Sequence, residues 1–203
     1  MEDAPGTTLE LLVLATGQRY CAGIDLASGA LVRAWSPTTP TETLHLYDTV
    51  MVTLDGSTDG VPDPAEPEAL WLTDAPQRTG RLRGRRIERL LRPLIHPVTE
   101  PLLGIHAPAV RFWERRNDHP SIGVVEPEPP LQFLRDGDYL ACRFGWRGTQ
   151  MEMPCIDRRL AASMDRAGRT RMLGDRGDRL VVALHPPIDG HCHKVVEAVL
   201  PRT

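Results

Sequence analysis

The sequence predicts a mostly β protein built as two tandem small Greek-key barrels, each with one or two short helices. Three observations carry this. Short apolar runs of strand length recur along the chain, separated by Gly, Pro, Asp and Ser turn signals. Only two stretches carry apolar residues at the spacing of a helical face. The halves share an order, strands followed by a helix, and the second half adds two closing strands. At 203 residues, with 41% hydrophobic and 25% charged residues, the chain has ordinary globular composition and room for one large or two small domains. The expected division is a first barrel with its following helix over 1–96, an irregular connector over 97–119 and a second barrel over 120–203.

In the first half, 9–15 is an apolar run ended by Thr16 and Gly17, the mark of a mostly buried strand. Two β-like runs follow within 20–36, joined by Ala27, Ser28 and Gly29, small residues that suit a hairpin loop. A Thr/Pro-rich break through Glu42 precedes the strand pattern of 44–54, closed by an Asp55-Gly56 turn. The stretch 57–68 has little to bury and reads as a surface loop; 69–73 is apolar again. The clearest helix follows, with Ile87, Leu90, Leu91, Leu94 and Ile95 on one face and Arg85, Arg86, Arg89 and Arg92 at the other positions. His96-Pro97 should end it.

In the second half, strands are predicted over 122–126 and 131–134, with a Pro-rich break between them and a turn at 135–138. A hairpin over 139–153 has an aromatic-basic tip. Asp157 should cap a short helix carrying Leu160, Ala161 and Met164 on one face, with Gly168 just past its end. Strands over 179–184 and 193–200 close the chain around a turn at 186–190. Strand-rich units of this size with one helix fit Greek-key barrels of the OB type.

The net charge of −3 conceals a polarity. Up to Asp74 there are 12 acidic and 2 basic residues, a balance of −10; beyond it there are 15 acidic and 22 basic, a balance of +7. A basic second part is compatible with a polyanion-binding face. All the basic residues but Lys194 are arginine, a bias that also fills solvated positions. No apolar run reaches the length of a membrane span and the acidic start is not a targeting peptide, so a cytoplasmic protein without membrane contact is expected. Cys21, Cys142, Cys155 and Cys192 are widely spaced and read as free thiols.

A family resemblance rests on several motifs together. They are Tyr20-Cys21-Ala22-Gly23-Ile24-Asp25 with the run from Gly29 to Ser36, Glu68-Ala69-Leu70-Trp71, Tyr139-Leu140-Ala141-Cys142-Arg143-Phe144, Cys155-Ile156-Asp157, and the closing 180–184 and 190–200 runs. The chain resembles the bacterial dual OB-containing domain family, over most of its length and least over 97–120. It departs from that pattern at Leu31, Ala34 and His193, where the family tends to have Trp, Pro and Tyr. The resemblance implies two OB-like barrels and a nucleic-acid-binding role, within a bacterial defence system, and brings no established catalytic residues with it.

OB barrels take single strands by stacking bases on aromatic side chains while cations track the phosphates. The residues matching that chemistry are Arg33 and Trp35 on the entry hairpin, Arg143, Trp146 and Arg147 on the second-half hairpin, and Lys194 in the closing strand. Phe144 and Trp146 share a strand face, and both also suit a barrel core. The arginines of the helix and its approach, and the cluster over 111–116, are further basic candidates. The expectation is a non-catalytic nucleic-acid-binding or adaptor module without cofactor. The alternatives are a scaffold that contacts a protein partner and a small metal-dependent nuclease centred on Asp25. His191, Cys192 and His193 with Cys142 and Cys155 match no zinc spacing, and no metal is expected.

Overall fold

In the computed structural model the described residues are 7–36, 43–55, 66–115 and 119–202. The predicted break over 37–42, Gly56, most of the 57–68 loop and Arg116 lie outside them. Fourteen strands and two short α-helices are described, and the chain divides into two compact units, the first taking the described residues up to Leu94 with 119–120 and the second taking 95–115 and 121–202. Each unit is a set of curled, mostly antiparallel strands.

The first unit holds β1 (Thr8–Thr16), β2 (Tyr20–Asp25), β3 (Leu31–Trp35), β4 (Asp48–Thr53), β5 (Ala69–Trp71) and β6 (Gln77–Arg81), in the sheet order β5-β3-β2-β1-β4-β6. Leu11 to Ala15 are all buried, which explains the unbroken apolar run of β1. The β2–β3 turn forms as its small residues predict: Gly29 takes φ 76°, and its N–H donates to the Asp25 carbonyl at 2.8 Å. Gly23 is needed for another reason, since a Cβ there would come within 2.4 Å of the Leu12 carbonyl oxygen on β1.

β5 runs parallel to β3, and just beyond it the chain meets the end of β4. Leu54 bridges Leu72, the Asp55 N–H donates to the Trp71 carbonyl at 2.8 Å, and the Thr73 N–H donates to that of Thr53 at 3.1 Å. Strand pairing in this unit therefore passes from β1 through β2, β3, β5 and β4 back to β1. Leu11, Val13, Cys21, Val32, Ala34, Val50, Val52 and Leu72 belong to the core it encloses. The arginine-rich helix is shorter than predicted: α1 (Arg85–Leu91) gives way to a 3-10 turn over Arg92–Leu94. Pro93 has no N–H to continue the α-helical ladder.

The second unit contains β7 (Ala109–Arg111), β8 (Ile122–Val125), β9 (Glu128–Asp136), β10 (Tyr139–Trp146), β11 (Thr149–Pro154), α2 (Arg158–Arg166), β12 (Arg171–Leu173), β13 (Arg179–Leu184) and β14 (His191–Leu200). Its sheets run β11-β10-β9-β12 and β7-β14-β13-β8. Two links join them. β8 and β9 are consecutive in the chain, and Cys155, just past β11, bridges Val196 of β14 in parallel, with the Ile156 N–H donating to the Val196 carbonyl at 2.8 Å. α2 lies between β11 and β13 in sequence, with Leu160 and Met164 in the core and Asp157 at its N-cap.

The stretch expected as an irregular connector is built differently. Leu102 and Leu103 enter the core of the second unit, and β7 extends its sheet against β14, pairing Arg111 with His191. A three-residue edge strand among prolines has no alternation long enough to reveal it.

Candidate nucleic-acid interface

On β3 the pleat turns Val32 and Ala34 into the core and leaves Arg33 and Trp35 on the opposite face. Register then sets three aromatic residues side by side, because Tyr20 of β2 pairs with Trp35 and Trp35 pairs with Trp71 of β5. Their ring centroids are 4.9 Å and 6.3 Å apart, and all three rings are half-buried. Arg33 lies against this row, with its guanidinium carbon 5.3 Å from the Tyr20 ring centroid. Its Nη1 is 3.0 Å from Glu66, and the other Glu66 oxygen accepts from Trp35 Nε1 at 3.2 Å.

Arg33 is 1% exposed. Its charge is committed to Glu66 inside the protein, so it positions the aromatic row and does not present a cation to solvent. Residue type and local pattern mark Trp35 but not its partners Tyr20 and Trp71, which only strand register brings beside it.

In the second unit the predicted residues separate. Trp146 is 4% exposed and belongs to the core, with its ring edge-on to His96 at 5.9 Å. Lys194 is 2% exposed on the core-facing side of β14 with Cys192 and Val196, and its Nζ donates to the Ile105 carbonyl. Burial pushes its amine down to about 8. Neither reaches solvent as an interface residue would. Arg143 is half-exposed on β10 and paired across the hairpin with Glu152 of β11. Arg147 sits in the β10–β11 turn at φ 55°, followed by Gly148 at φ 69°, and is exposed without an ion-pair partner among the described residues. Of the six predicted residues, Arg143 and Arg147 are the exposed cations, and Arg147 alone of these two has no ion-pair partner among the described residues.

The exposed cations concentrate elsewhere. Of the 22 basic residues beyond Asp74, Arg78, Arg81, Arg83, Arg85, Arg86, Arg89 and Arg92 fall within 77–94, against Glu88 alone; 95–115 and 121–202 hold 14 basic and 13 acidic residues. The basic character of the second part of the chain is therefore mainly a property of β6, α1 and the residues joining them. All seven side chains are exposed. Arg78 pairs with Asp48 at 3.1 Å, and the other six have no partner among the described residues. Within this set Arg89 stands four residues after Arg85 and three from both Arg86 and Arg92, spacings at which like charges each cost roughly a few tenths of a kcal/mol in a helix.

Asp25 serves a turn. Its Oδ1 accepts from the Ala27 N–H at 3.1 Å and its Oδ2 from the Ser28 N–H at 3.2 Å, and the Ser28 hydroxyl, donating to Oδ2, holds the carboxyl below its ordinary value. Among the described residues no group of three or more His, Cys, Asp or Glu side chains is placed to hold a metal ion. Cys192 is buried while His191 and His193 are exposed, the opposite faces that alternation requires. A scan against protein-family models and a search of curated proteins return no match.

Proposed function

We propose that the chain is a non-catalytic nucleic-acid-binding module of the dual OB type, as its resemblance to that bacterial family implies. In favour of the fold reading, each unit has a strand order compatible with a five-stranded OB Greek key, with β8 and β9 counted as one bent strand in the second and α2 lying between β11 and β13. The observation that carries the function is the set of six exposed arginines over 81–92 without partners among the described residues, in a segment holding one acidic residue. Crowded guanidinium groups repel one another, and a phosphate backbone, itself a dense row of negative charge, relieves that repulsion while releasing its counterions. The half-buried row of Tyr20, Trp35 and Trp71 adds ring surface of the kind bases stack on.

The test is anisotropy of labelled single-stranded and duplex DNA and RNA across a salt series, on wild type and on the triple variant Arg85→Gln/Arg86→Gln/Arg89→Gln. Binding should weaken linearly in log–log coordinates, and the variant should reduce the slope for single strands by about 2, from roughly 0.7 for each phosphate no longer neutralised. An unchanged slope in a folded variant would remove these arginines from the interface, and absence of wild-type binding at low salt would leave the protein-scaffold reading.

A further inference from the structure

The most exposed large hydrophobic side chain described is Trp113, at 68%. It follows β7, in the 3-10 turn Phe112–Glu114, in a unit that otherwise buries a substantial core. Its position is fixed from several sides. The Phe112 N–H donates to the Gly190 carbonyl at 2.9 Å, tying the turn to the β13–β14 connection. There Asp189 and Gly190 take φ 49° and 77°, and the backbone groups of Ile188 and His191 bond reciprocally at 2.9 and 3.0 Å. This is the geometry that an Asp-Gly pair favours between two strands. A Cβ on Gly190 would lie 3.1 Å from the indole, so Trp113 rests close across the turn. The Arg111 guanidinium carbon stands 6.0 Å from the indole centroid, and Ile188, 55% exposed, is in the same turn.

From this arrangement we infer that Trp113 and Arg111 form a second binding site, which takes an unstacked nucleobase on the indole and its phosphate on the guanidinium. The inference rests on the nucleic-acid reading above. The occupant follows from the chemistry of the pair. A flat apolar ring already supported against backbone offers stacking area at little ordering cost. An adjacent planar cation suits a phosphate oxygen pair, as arginine does better than lysine. Glu114 competes for Arg111 at 3.4 Å, but both side chains of that pair are more than half exposed, so its hold is weak and exchangeable. Bases inside a duplex are stacked on each other and closed to an indole. The site therefore selects single strands, loops and frayed ends, whereas the arginines over 81–92 track the backbone of either form.

The experiment compares Trp113→Ala, Trp113→Phe and the triple arginine variant with wild type, using a single-stranded oligonucleotide carrying 2-aminopurine and a relaxed, covalently closed duplex circle, which has neither loop nor end. Trp113→Ala should weaken single-strand binding roughly tenfold, the loss expected when one base is deprived of its stacking partner. It should also diminish the 2-aminopurine response while leaving duplex affinity and both salt slopes unchanged. Trp113→Phe should retain most of the affinity, and the arginine variant should weaken both ligands. Wild-type affinity for the single strand in Trp113→Ala overturns this inference alone. Failure of wild type to bind either ligand overturns it together with the proposed function, and an equal loss on both ligands in Trp113→Ala overturns the selectivity for unstacked bases.

Discussion

Lys194 is the residue whose chemistry departs furthest from its sequence appearance. Alternation along β14 puts it on the face of Cys192 and Val196, so its burial is legible, although its being the lone lysine and its place in the closing motif of the family resemblance suggest an interface. Burial lowers its amine from 10.5 to about 8, so between those values the unfolded chain holds a proton that the folded chain releases. Its contribution to stability is therefore unfavourable at neutral pH, on the order of 3 kcal/mol at most, and that penalty is relieved as pH rises through the window. Lys194→Met should be more stable than wild type to urea at pH 7, with an advantage that shrinks from pH 8 to pH 10.5. The thiols of Cys21 and Cys155, pushed up to about 12 by burial, act in the opposite sense above their ordinary value of 9.0. Both proteins share them, so they cancel in the difference. An advantage that stays constant over this range would contradict the buried-ammonium account.

At the scale of elements, α2 depends on one carboxylate. Asp157 accepts from the N–H groups of Arg159 at 2.9 Å and Leu160 at 3.2 Å, and also from the Val199 N–H at 2.9 Å, so the same side chain caps the helix and fastens it to β14. Asp157→Ala removes a cap, worth about 1 kcal/mol, and leaves the buried Val199 N–H unpaired, roughly 1–3 kcal/mol more. Urea unfolding should report a loss of about 2–4 kcal/mol, with Asp157→Asn recovering part of it, since the amide oxygen still accepts. A loss under about 0.5 kcal/mol, the scale of an ordinary surface change, would show that the carboxylate does neither job. This helix was readable because a cap, an apolar face and Gly168, at φ 58°, are local signals. β6 and β12 were not. Their sequences, Gln77-Arg78-Thr79-Gly80-Arg81 and Arg171-Met172-Leu173, carry no alternation, and they are strands by virtue of backbone pairing with β4 and β9.

For the whole molecule, strand content and the placement of a helix in each half were legible, because apolar period and turn residues are local. The links that complete the strand order were not: each depends on pairings such as Leu54 with Leu72 and Cys155 with Val196, distant in sequence and unmarked by residue type. The candidate site failed differently. There residue type suggests the chemistry, but burial decides availability: Arg33, Trp146 and Lys194 are buried, Trp35 is half-buried, and Arg143 and Arg147 are exposed. The charge balance on either side of Asp74 likewise conceals that the excess belongs mainly to 77–94, immediately before the second unit begins at Ile95. That location has a consequence for proteolysis. Trypsin cuts after arginine, Pro93 shields only the bond after Arg92, and five more arginines without partners among the described residues stand exposed between 81 and 89. Nicking should therefore concentrate there and divide the polypeptide close to its midpoint. An oligonucleotide laid along these side chains should slow that cut selectively, leaving cleavage after the exposed turn residue Arg176 unaffected, whereas equal rates with and without it would mean that the segment is left bare.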